Sequence, residues 1–213
     1  MDRRITSALA LLMIVGGLVA AVLLAGPDGR TYDTDVAQFF IDRRTPTLNT
    51  VMSALTFFGS AWALTPLTLI LAAVLALRRR AGAALLLLGA MTTSWTLTNL
   101  TKSAVGRDRP DTADLIGTVS DTGAFPSGHT LNSAVFLSVA TGILITLFSA
   151  RAAQIAMVLI ALLAAVAMGV SRMYLGYHWL SDVLGGWAVA SAILGAAWLL
   201  VIVWDRPHRG PVV

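Results

Sequence analysis

Residues 152–170 read AAQIAMVLIALLAAVAMGV, a run of 19 residues without a charge that lies between Arg151 and Arg172. A helix needs about 20 predominantly apolar residues to cross the hydrocarbon core of a bilayer. A run of this length and composition in the middle of the chain therefore predicts a transmembrane helix rather than a surface helix of a water-soluble domain.

Charge-free runs of similar length recur on both sides of this segment. The predicted fold is all-α, a polytopic membrane bundle in one domain over residues 1–213, with about six transmembrane helices and a small extracytoplasmic region of surface helix and loop. The first run follows a basic start and has two readings, a signal peptide or a retained span. We favour a retained span because its apolar stretch exceeds the roughly 7–15 residues of a signal-peptide core. The predicted spans cover residues 5–25, 61–77, 81–100, 130–148, 152–170 and 183–204.

The charge-free run over residues 45–77 is too long for one span. We divide it at Gly59-Ser60 into a half-buried surface helix over residues 47–58 and a span over residues 61–77. A single long tilted helix is the alternative interpretation. The division matters because a separate surface helix would lie at the membrane interface, beside any site at that end of the bundle.

The composition agrees with a membrane protein. Hydrophobic residues make up 57% of the 213 residues and charged residues 12%, against about 25% charged residues in soluble domains. A soluble domain and a disordered chain are therefore poor fits, and the absence of cysteine excludes a disulfide scaffold and thiolate metal sites. The net charge is +4, but the basic residues fall between apolar runs, so they indicate membrane topology rather than nucleic-acid binding.

The distribution of charge predicts the orientation. With six spans, Arg78, Arg79 and Arg80 form a short basic loop on the same side as both termini, and the opposite side carries nine of the eleven Asp residues. Cytoplasmic loops are enriched in Lys and Arg. We therefore expect a multi-pass protein of the cell membrane with both termini in the cytoplasm.

Basic residues are also frequent on the outer side, where chemistry is the better explanation. The predicted outer loop over residues 101–126 begins with Lys102 and contains Arg107 and Arg109, and Arg172 follows the fifth span. On its own, the segment Arg107-Asp108-Arg109 is also typical of a solvated loop. Ser127 and Gly128 precede the fourth span, where free backbone amides and the helix dipole favour an anion. Cations beside a helix N-terminus suit a phosphate group.

Two histidines lie at outer ends of spans. His178 and Asp182 are four residues apart, so a helix beginning near His178 would place both on one face. The carboxylate would then fix the imidazole tautomer and leave the other nitrogen as a nucleophile. His129 is the candidate general acid for the leaving oxygen.

Three motifs resemble those of the type 2 phosphatidic acid phosphatase (PAP2) family of integral membrane lipid phosphatases. Residues 102–110 read KSAVGRDRP and match K-x6-R-P, residues 126–129 read PSGH, and residues 171–182 read SRMYLGYHWLSD and match S-R-x5-H-x3-D. The motifs occur in the order typical of the family, and none departs from the pattern.

The resemblance implies a role for each matching residue. His178 is the expected nucleophile, Asp182 its orienting partner and His129 the general acid, while the phosphate oxygens are expected to be held by Lys102, Arg109, Ser127, Gly128 and Arg172. The family works without a metal or cofactor. Its soluble relatives include vanadium haloperoxidases, which suggests phosphate or vanadate as a ligand or inhibitor.

The resemblance also predicts the substrate class. Phosphatidylglycerol phosphate, phosphatidic acid and undecaprenyl diphosphate are the expected types of lipid phosphate, reaching the site from the membrane. A helix face formed by Val36, Phe39 and Phe40 is a candidate contact with the outer leaflet. Two alternatives are a polyprenyl-phosphate transporter or flippase, for which a polar row in the third span is the candidate path, and a catalytically inactive scaffold of the same fold.

Overall fold

The computed structural model describes residues 3–118 and 122–204, and within these ranges it contains helices and no strands. The all-α prediction is therefore confirmed. The third histidine, His208, follows the sixth predicted span beside two arginines, so the sequence predicts a solvated residue of the inner tail; it lies outside the described residues. The α-helices are α1 (Arg3–Ala25), α2 (Asp33–Ile41), α3 (Pro46–Phe58), α4 (Ala61–Leu77), α5 (Ala81–Val105), α6 (Gly128–Leu144), α7 (Arg151–Tyr174) and α8 (Leu180–Trp204).

Most of these helices are long and apolar enough to cross a membrane. Within the described residues, five helices are each long and apolar enough to span a membrane individually. They are α1, α5, α6 with the short 3-10 turn that follows it, α7 and α8. Helices α3 and α4 are long and apolar enough only when taken together, and the chain bends by 43° between them. Apolar side chains such as Leu12 and Ile160 are about two-thirds exposed, at 67% and 66%, as expected for surfaces that face lipid.

The bend between α3 and α4 lies at the predicted break. Ser60 caps α4, its hydroxyl accepting a hydrogen bond from the backbone N–H of Ala63 at 3.3 Å. A side chain at Gly59 would collide with Met168, whose sulfur lies 2.5 Å from the position of a Cβ. Residues 46–58 therefore form a helix distinct from α4, and a single straight helix over this run is not formed.

Small residues bring the N-terminal and C-terminal spans together. A Cβ on Gly17 would lie 2.4 Å from the carbonyl oxygen of Ala188, and one on Gly195 would lie 2.6 Å from the carbonyl oxygen of Ala10. Such close approach is the usual way in which membrane helices pack, since lipid provides no hydrophobic force between them. The buried centre between α5 and α6 is formed by larger side chains such as Leu87, Met91 and Leu131.

Two helices continue past the C-terminal ends of their predicted spans. Helix α5 continues to Val105 and ends at Gly106, whose φ of 57° is a left-handed cap, and α7 continues to Tyr174. Lys102 and Arg172 therefore lie in the last turns of helices, not in irregular loops. The last turn of α7 is buried by other segments of the protein, whereas in the last turn of α5 Lys102 is half-buried and Ser103 and Ala104 are exposed.

The two ends of the bundle differ. At one end, α2 packs on α7 and α8, Phe40 meets the ring of Tyr174 edge-on at 6.2 Å, and Arg44 donates hydrogen bonds to the carbonyl oxygens of Tyr174 and Asp114. At the opposite end, Arg80 donates a hydrogen bond to the hydroxyl of Thr146 at 3.1 Å. The basic loop of Arg78, Arg79 and Arg80 and the α2 region thus occupy opposite ends of the spans.

Candidate active site

The predicted site residues converge at the end of the bundle that carries α2. They come from the last turns of α5 and α7, the first turns of α6 and α8, and the segments between them. The residues that converge there are Lys102, Arg109, Ser127, Gly128, His129, Arg172, His178 and Asp182.

The centre of the cluster is the pair formed by His178 and Asp182. Nδ1 of His178 lies 3.4 Å from Oδ2 of Asp182, and the same oxygen accepts a hydrogen bond from the backbone N–H of Trp179 at 3.0 Å. Both side chains are buried. Helix α8 begins at Leu180, so His178 precedes the helix while Asp182 lies in its first turn, and the pair still meets as the four-residue spacing predicted.

Burial lowers the pKa of His178 well below its usual value of 6.5, and the neighbouring cations Arg172, Arg109 and Lys102 lower it further. A positive imidazolium is disfavoured both by the loss of solvent and by like charges nearby. The imidazole is therefore neutral at neutral pH, which leaves a lone pair on one ring nitrogen.

Arg109 faces the second nitrogen of the same ring. Its NH1 lies 3.4 Å from Nε2 of His178. The guanidinium is held by the carbonyl oxygens of Tyr177 and Thr122, at 2.8 Å and 3.1 Å. These bonds fix a cation at the position where an anion bound next to Nε2 would lie.

Arg172 and Lys102 place two more cations at the site. Arg172 is 5% exposed, donates from NH1 to the hydroxyl of Thr56 at 2.7 Å, and lies over the ring of Tyr177 with its Cζ 3.8 Å from the ring centroid. Its Nε is buried without a hydrogen-bond partner among the described residues. Lys102 donates from Nζ to the carbonyl oxygen of Gly123. A buried donor without a partner is costly, so Arg172 is suited to an anionic ligand.

The N-terminus of α6 completes the cluster. Ser127 is the N-cap, but its side chain caps no helix amide; it accepts a hydrogen bond from the hydroxyl of Thr130 at 2.9 Å. The first backbone N–H groups of the helix have no intrahelical partner. A Cβ on Gly128 would lie 3.0 Å from the methyl carbon of Thr98, so glycine permits the close approach of α5 here.

His129 lies in the first turn of α6, close enough to the same charged side chains to interact with them. It is partly buried, and Arg172, His178, Lys102 and Arg109 all act on it electrostatically. Two imidazoles thus share one cluster of cations, with only one of them bonded to a carboxylate among the described contacts. This asymmetry allows the two histidines to perform different tasks.

Arg107 and Asp33 are parts of the site that the sequence analysis missed. The solvated-loop reading of Arg107 was wrong: this side chain is 4% exposed and its NH1 lies 2.8 Å from Oδ1 of Asp182. Asp33 is 5% exposed and accepts two hydrogen bonds from Ser181. The only signal for Arg107 was its position inside the K-x6-R-P motif, and no signal distinguished Asp33 from the other outer Asp residues.

Within the described ranges, no group of three or more His, Asp or Glu side chains is arranged to hold a metal ion. Three cations and a helix N-terminus surround the histidines instead. The geometry therefore suits a phosphate group with negatively charged oxygens and a neutral nitrogen nucleophile beside it.

Comparison with known proteins agrees with this geometry. A family model described as the PAP2 superfamily matches residues 83–207. Phosphatidylglycerophosphatase B of Bacillus subtilis (strain 168) is 37% identical over 147 residues, which cover 68% of this chain and 71% of the relative.

Two solved structures share the fold. The crystal structure of a transmembrane PAP2 type phosphatidylglycerolphosphate phosphatase from Bacillus subtilis aligns with a TM-score of 0.76 and 27% identity, over 96% of this chain and 98% of that one. The structure of Aquifex aeolicus LpxE aligns with a TM-score of 0.62 and 21% identity, over 80% of this chain and 96% of that one, and shows a similar fold. The extent of these matches shows that this multi-pass membrane protein belongs to the PAP2 superfamily and is a phosphatase of the PAP2 type.

Proposed function

We propose that this chain hydrolyses the phosphate head group of a membrane lipid through a phosphohistidine on His178, without a metal or cofactor. The observation that carries the proposal is the position of His178 between Asp182 and Arg109. Its Nδ1 lies 3.4 Å from Oδ2 of Asp182, and its Nε2 lies 3.4 Å from NH1 of Arg109. One neighbour orients the imidazole, and the other marks where the phosphoryl group binds.

The first step transfers the phosphoryl group to the enzyme. Nε2 of His178 attacks phosphorus, a P–N bond forms, and the bond from phosphorus to the lipid oxygen breaks. The negative charge of the bound phosphate offsets the cations and favours the protonated form of His129. His129 then donates this proton to that oxygen, so the lipid leaves as an alcohol, or as a lipid monophosphate when the substrate is a diphosphate. Asp182 stabilises the positive charge that develops on the ring of His178.

The second step releases phosphate. Water attacks phosphorus, the P–N bond breaks, and His129, which lost its proton in the first step, accepts one from the water. Inorganic phosphate leaves and both histidines return to their starting forms. Dividing the displacement into two steps is the general advantage of nucleophilic catalysis.

Fixed cations take the place that a metal ion has in other phosphoryl-transfer enzymes. In this proposal Lys102, Arg109 and Arg172 bind the oxygens of the transferred group, together with the hydroxyl of Ser127 and the backbone N–H of Gly128. The backbone N–H of Ser127 does not take part, because it donates to the carbonyl oxygen of Asp182 at 3.0 Å. Charge spreads over these oxygens in the transition state, and preorganised donors stabilise it without reorganisation. The same arrangement favours phosphate and vanadate as competing ligands.

The lipid reaches the site from the outer leaflet. Because Arg78, Arg79 and Arg80 lie at the end opposite the site, the positive-inside rule places them in the cytoplasm and the site outside. Helix α2 lines the cavity that includes His178, and Phe39 on this helix is 49% exposed, which makes it a candidate apolar contact for a lipid whose head group enters the cation cluster. Phosphatidylglycerol phosphate, phosphatidic acid and undecaprenyl diphosphate are the proposed substrate types.

The polar row that the transporter alternative needs is divided in the structure. Its buried members are Ser94, which donates to the side-chain oxygen of Asn132, and Thr98, which donates to the carbonyl oxygen of Ser94. The other members, Thr92, Thr93, Thr96 and Asn99, are exposed on the outside of α5. A row of this kind supports helix packing rather than a continuous polar path.

Release of inorganic phosphate by purified protein tests the function. The wild type and His178→Ala are compared on the three proposed lipid types in detergent micelles. We expect release from at least one lipid by the wild type and none by His178→Ala. Binding of lipid phosphate without release would support the carrier, and inactivity despite a folded protein would support the scaffold.

A further inference from the structure

The two carboxylate oxygens of Asp182 have different partners. Oδ2 faces His178 and accepts the N–H of Trp179, whereas Oδ1 accepts a hydrogen bond from NH1 of Arg107 at 2.8 Å. The side chains of Arg107 and Asp182 are 1% and 0% exposed. A buried arginine therefore neutralises the carboxylate on the side away from the nucleophile.

Arg107 is fixed by the end of another helix. Its NH2 donates to the carbonyl oxygens of Leu24 and Ala25 at 2.7 Å and 2.9 Å, and these are the last residues of α1. Carbonyls at a helix C-terminus lack intrahelical partners and attract cations. The guanidinium also lies over the ring of Phe125, with its Cζ 4.7 Å from the centroid.

A serine joins Arg107 to a carboxylate on α2. NH1 of Arg107 also donates to the hydroxyl of Ser181 at 2.7 Å, and this hydroxyl donates to Oδ2 of Asp33 at 2.6 Å. The backbone N–H of Ser181 donates to Oδ1 of Asp33 at 2.8 Å. Because a carboxylate accepts hydrogen bonds only, the single hydroxyl proton of Ser181 points to Asp33 and leaves a lone pair for Arg107.

We propose that Asp33, Ser181 and Arg107 are positioning residues of the phosphatase: they hold the carboxylate of Asp182 in the orientation that aligns His178 for attack. The inference rests on the proposed function of His178. None of the three residues contacts His178 among the described hydrogen bonds, so their influence passes through Asp182. Burying an ion pair is costly, and apolar side chains often stabilise a fold as well or better. A role in orienting the nucleophile gives this pair a function that apolar packing would not supply.

The charge of Arg107 also affects the ring of His178. The charged and titratable groups closest to His178 are Lys102 on α5, Arg109 in the loop after α5, His129 on α6, Arg172 on α7 and Asp182 on α8. Arg44, Asp111 and Asp114 line the same cavity as His178. Asp182 is the acid that contacts the ring itself, and Arg107 balances its charge. Without that balance, the full negative charge of Asp182 favours the imidazolium form of His178, which has no lone pair for attack.

Kinetics of four variants test the proposal. Arg107→Gln removes the positive charge, and Arg107→Lys keeps it. Asp33→Asn removes one hydrogen-bond acceptor at nearly constant size. Asp35→Asn is the matched control for Asp33→Asn, because Asp35 is an exposed acid on α2 as well. We expect Arg107→Gln to lower kcat up to about 100-fold, the order of loss that a misplaced reacting group causes, with KM unchanged.

The pH profile separates positioning from support of the fold. In Arg107→Gln, the acidic limb of kcat/KM should move to higher pH, and in Arg107→Lys it should move less. Asp33→Asn should lower kcat more than Asp35→Asn does, but should add no further loss in an Asp182→Asn background, because its effect passes through that carboxylate. An unchanged limb in Arg107→Gln, or multiplicative losses in the double variant, would overturn the proposal.

A measurement that needs no turnover keeps this proposal separate from the proposed function. The chain has three histidines, so a histidine-selective ¹⁵N spectrum of the full chain in detergent is simple, and His178→Ala assigns the signal of His178. The titration midpoint of this ring should rise in Arg107→Gln. A wild type that releases no phosphate would refute the proposed function, whereas an unchanged midpoint in a folded Arg107→Gln would refute the positioning role.

Discussion

NH1 of Arg109 and Nε2 of His178 lie 3.4 Å apart, on the edge of the ring opposite Asp182. A guanidinium donates hydrogen bonds and cannot accept them. This contact therefore favours the tautomer that has the lone pair on Nε2 and the ring proton on Nδ1, where it faces the carboxylate. Arg109 and Asp182 thus select the same tautomer from opposite sides of the imidazole, and this is the tautomer that attack through Nε2 requires.

The first prediction concerns the pH dependence of activity. The pKa of His178 is lowered well below 6.5 by burial and by the neighbouring cations, and the attacking form is the neutral one. Activity should therefore persist as pH falls through 6.5 and be lost only below it. The measurement is the acidic limb of kcat/KM, which reports groups of the free enzyme.

The substrate phosphate also ionises, with a second pKa of about 6, so the profile needs a control. Two substrates whose phosphate groups differ in pKa should be compared. A limb that belongs to His178 stays in place when the substrate changes. A limb at or above pH 6.5 with both substrates would contradict the prediction.

The second prediction concerns Arg172. Arg172→Lys should keep a positive charge but lose the stacking on Tyr177 and the geometry of the guanidinium, which also donates to Thr56. Arginine and lysine are not interchangeable at such a position. We expect kcat/KM to fall about 100-fold, as for the loss of one preorganised donor to a transition state.

The matched control is Arg151→Lys, since Arg151 is exposed and begins α7, the helix that carries Arg172 near its other end. It should have the kcat/KM of the wild type. Thermal unfolding of both variants shows whether the change is confined to the site. Equal activities for Arg172→Lys and the wild type would remove Arg172 from the phosphate site.

Much of this architecture follows from local features of the sequence. Charge-free runs specify the spans because the bilayer excludes charge over a fixed thickness, and the break at Gly59-Ser60 was visible because a capping serine follows a glycine. The residues of the three motifs converge in the structure because each motif adjoins a helix end on the same side of the bundle. These features depend on spacing along the chain alone.

The contacts that were missed depend on distant parts of the chain. Arg107 meets Asp182 across 75 positions, and Asp33 meets Ser181 across 148. Nothing local separates a buried Arg107 from a solvated one, since its neighbour Asp108 is exposed. The ends of α5 and α7 were also placed too early, because hydropathy marks contact with lipid, whereas a helix can continue through a polar turn outside the lipid-facing segment.

The third prediction concerns topology. The chain has no cysteine, so single introduced cysteines report their side of the membrane without background. Ala113→Cys, at an exposed position of the loop beside the site, should be labelled by an impermeant thiol reagent on intact cells. Ala81→Cys, at the exposed start of α5 next to the basic loop, should be labelled only after the membrane is opened. The reverse pattern would place the site in the cytoplasm.

The position of the outer probe follows from the structure. Gly117 lies in the same loop, but its φ is 128° and a Cβ there would lie within bonding distance of the hydroxyl of Tyr177. A cysteine at Gly117 would therefore distort the loop. Ala113 already carries a Cβ, so the change to cysteine adds only a thiol.

The fourth prediction concerns metal ions and inhibition. Activity should survive EDTA, because Lys102, Arg109 and Arg172 supply the positive charge at the phosphate. Vanadate should inhibit competitively, and Arg109→Ala should weaken this inhibition because its guanidinium adjoins Nε2 of His178. A strict need for magnesium that EDTA abolishes would reject the metal-free mechanism.

The last prediction concerns the covalent intermediate. His178→Ala should abolish turnover, since the other nitrogens that contact Asp182, those of Arg107 and of the Trp179 backbone, are donors without a lone pair for attack. Asp182→Asn should lower kcat strongly, because a neutral amide stabilises the developing imidazolium less than a carboxylate does. The double variant His178→Ala with Asp182→Asn should be no worse than His178→Ala, as expected for residues that act as a unit.

His129→Ala separates the two histidines. If His129 protonates the leaving oxygen, its loss should slow formation of the intermediate most for lipids with poor leaving groups, and least for a substrate whose leaving group needs no proton. Rapid quench with a radiolabelled lipid phosphate, followed by alkaline work-up that preserves phosphohistidine, measures this step directly. Label on the wild type and its absence on His178→Ala would establish the nucleophile. Normal turnover by His178→Ala would refute it, because the nitrogen between Arg109 and Asp182 would then be dispensable.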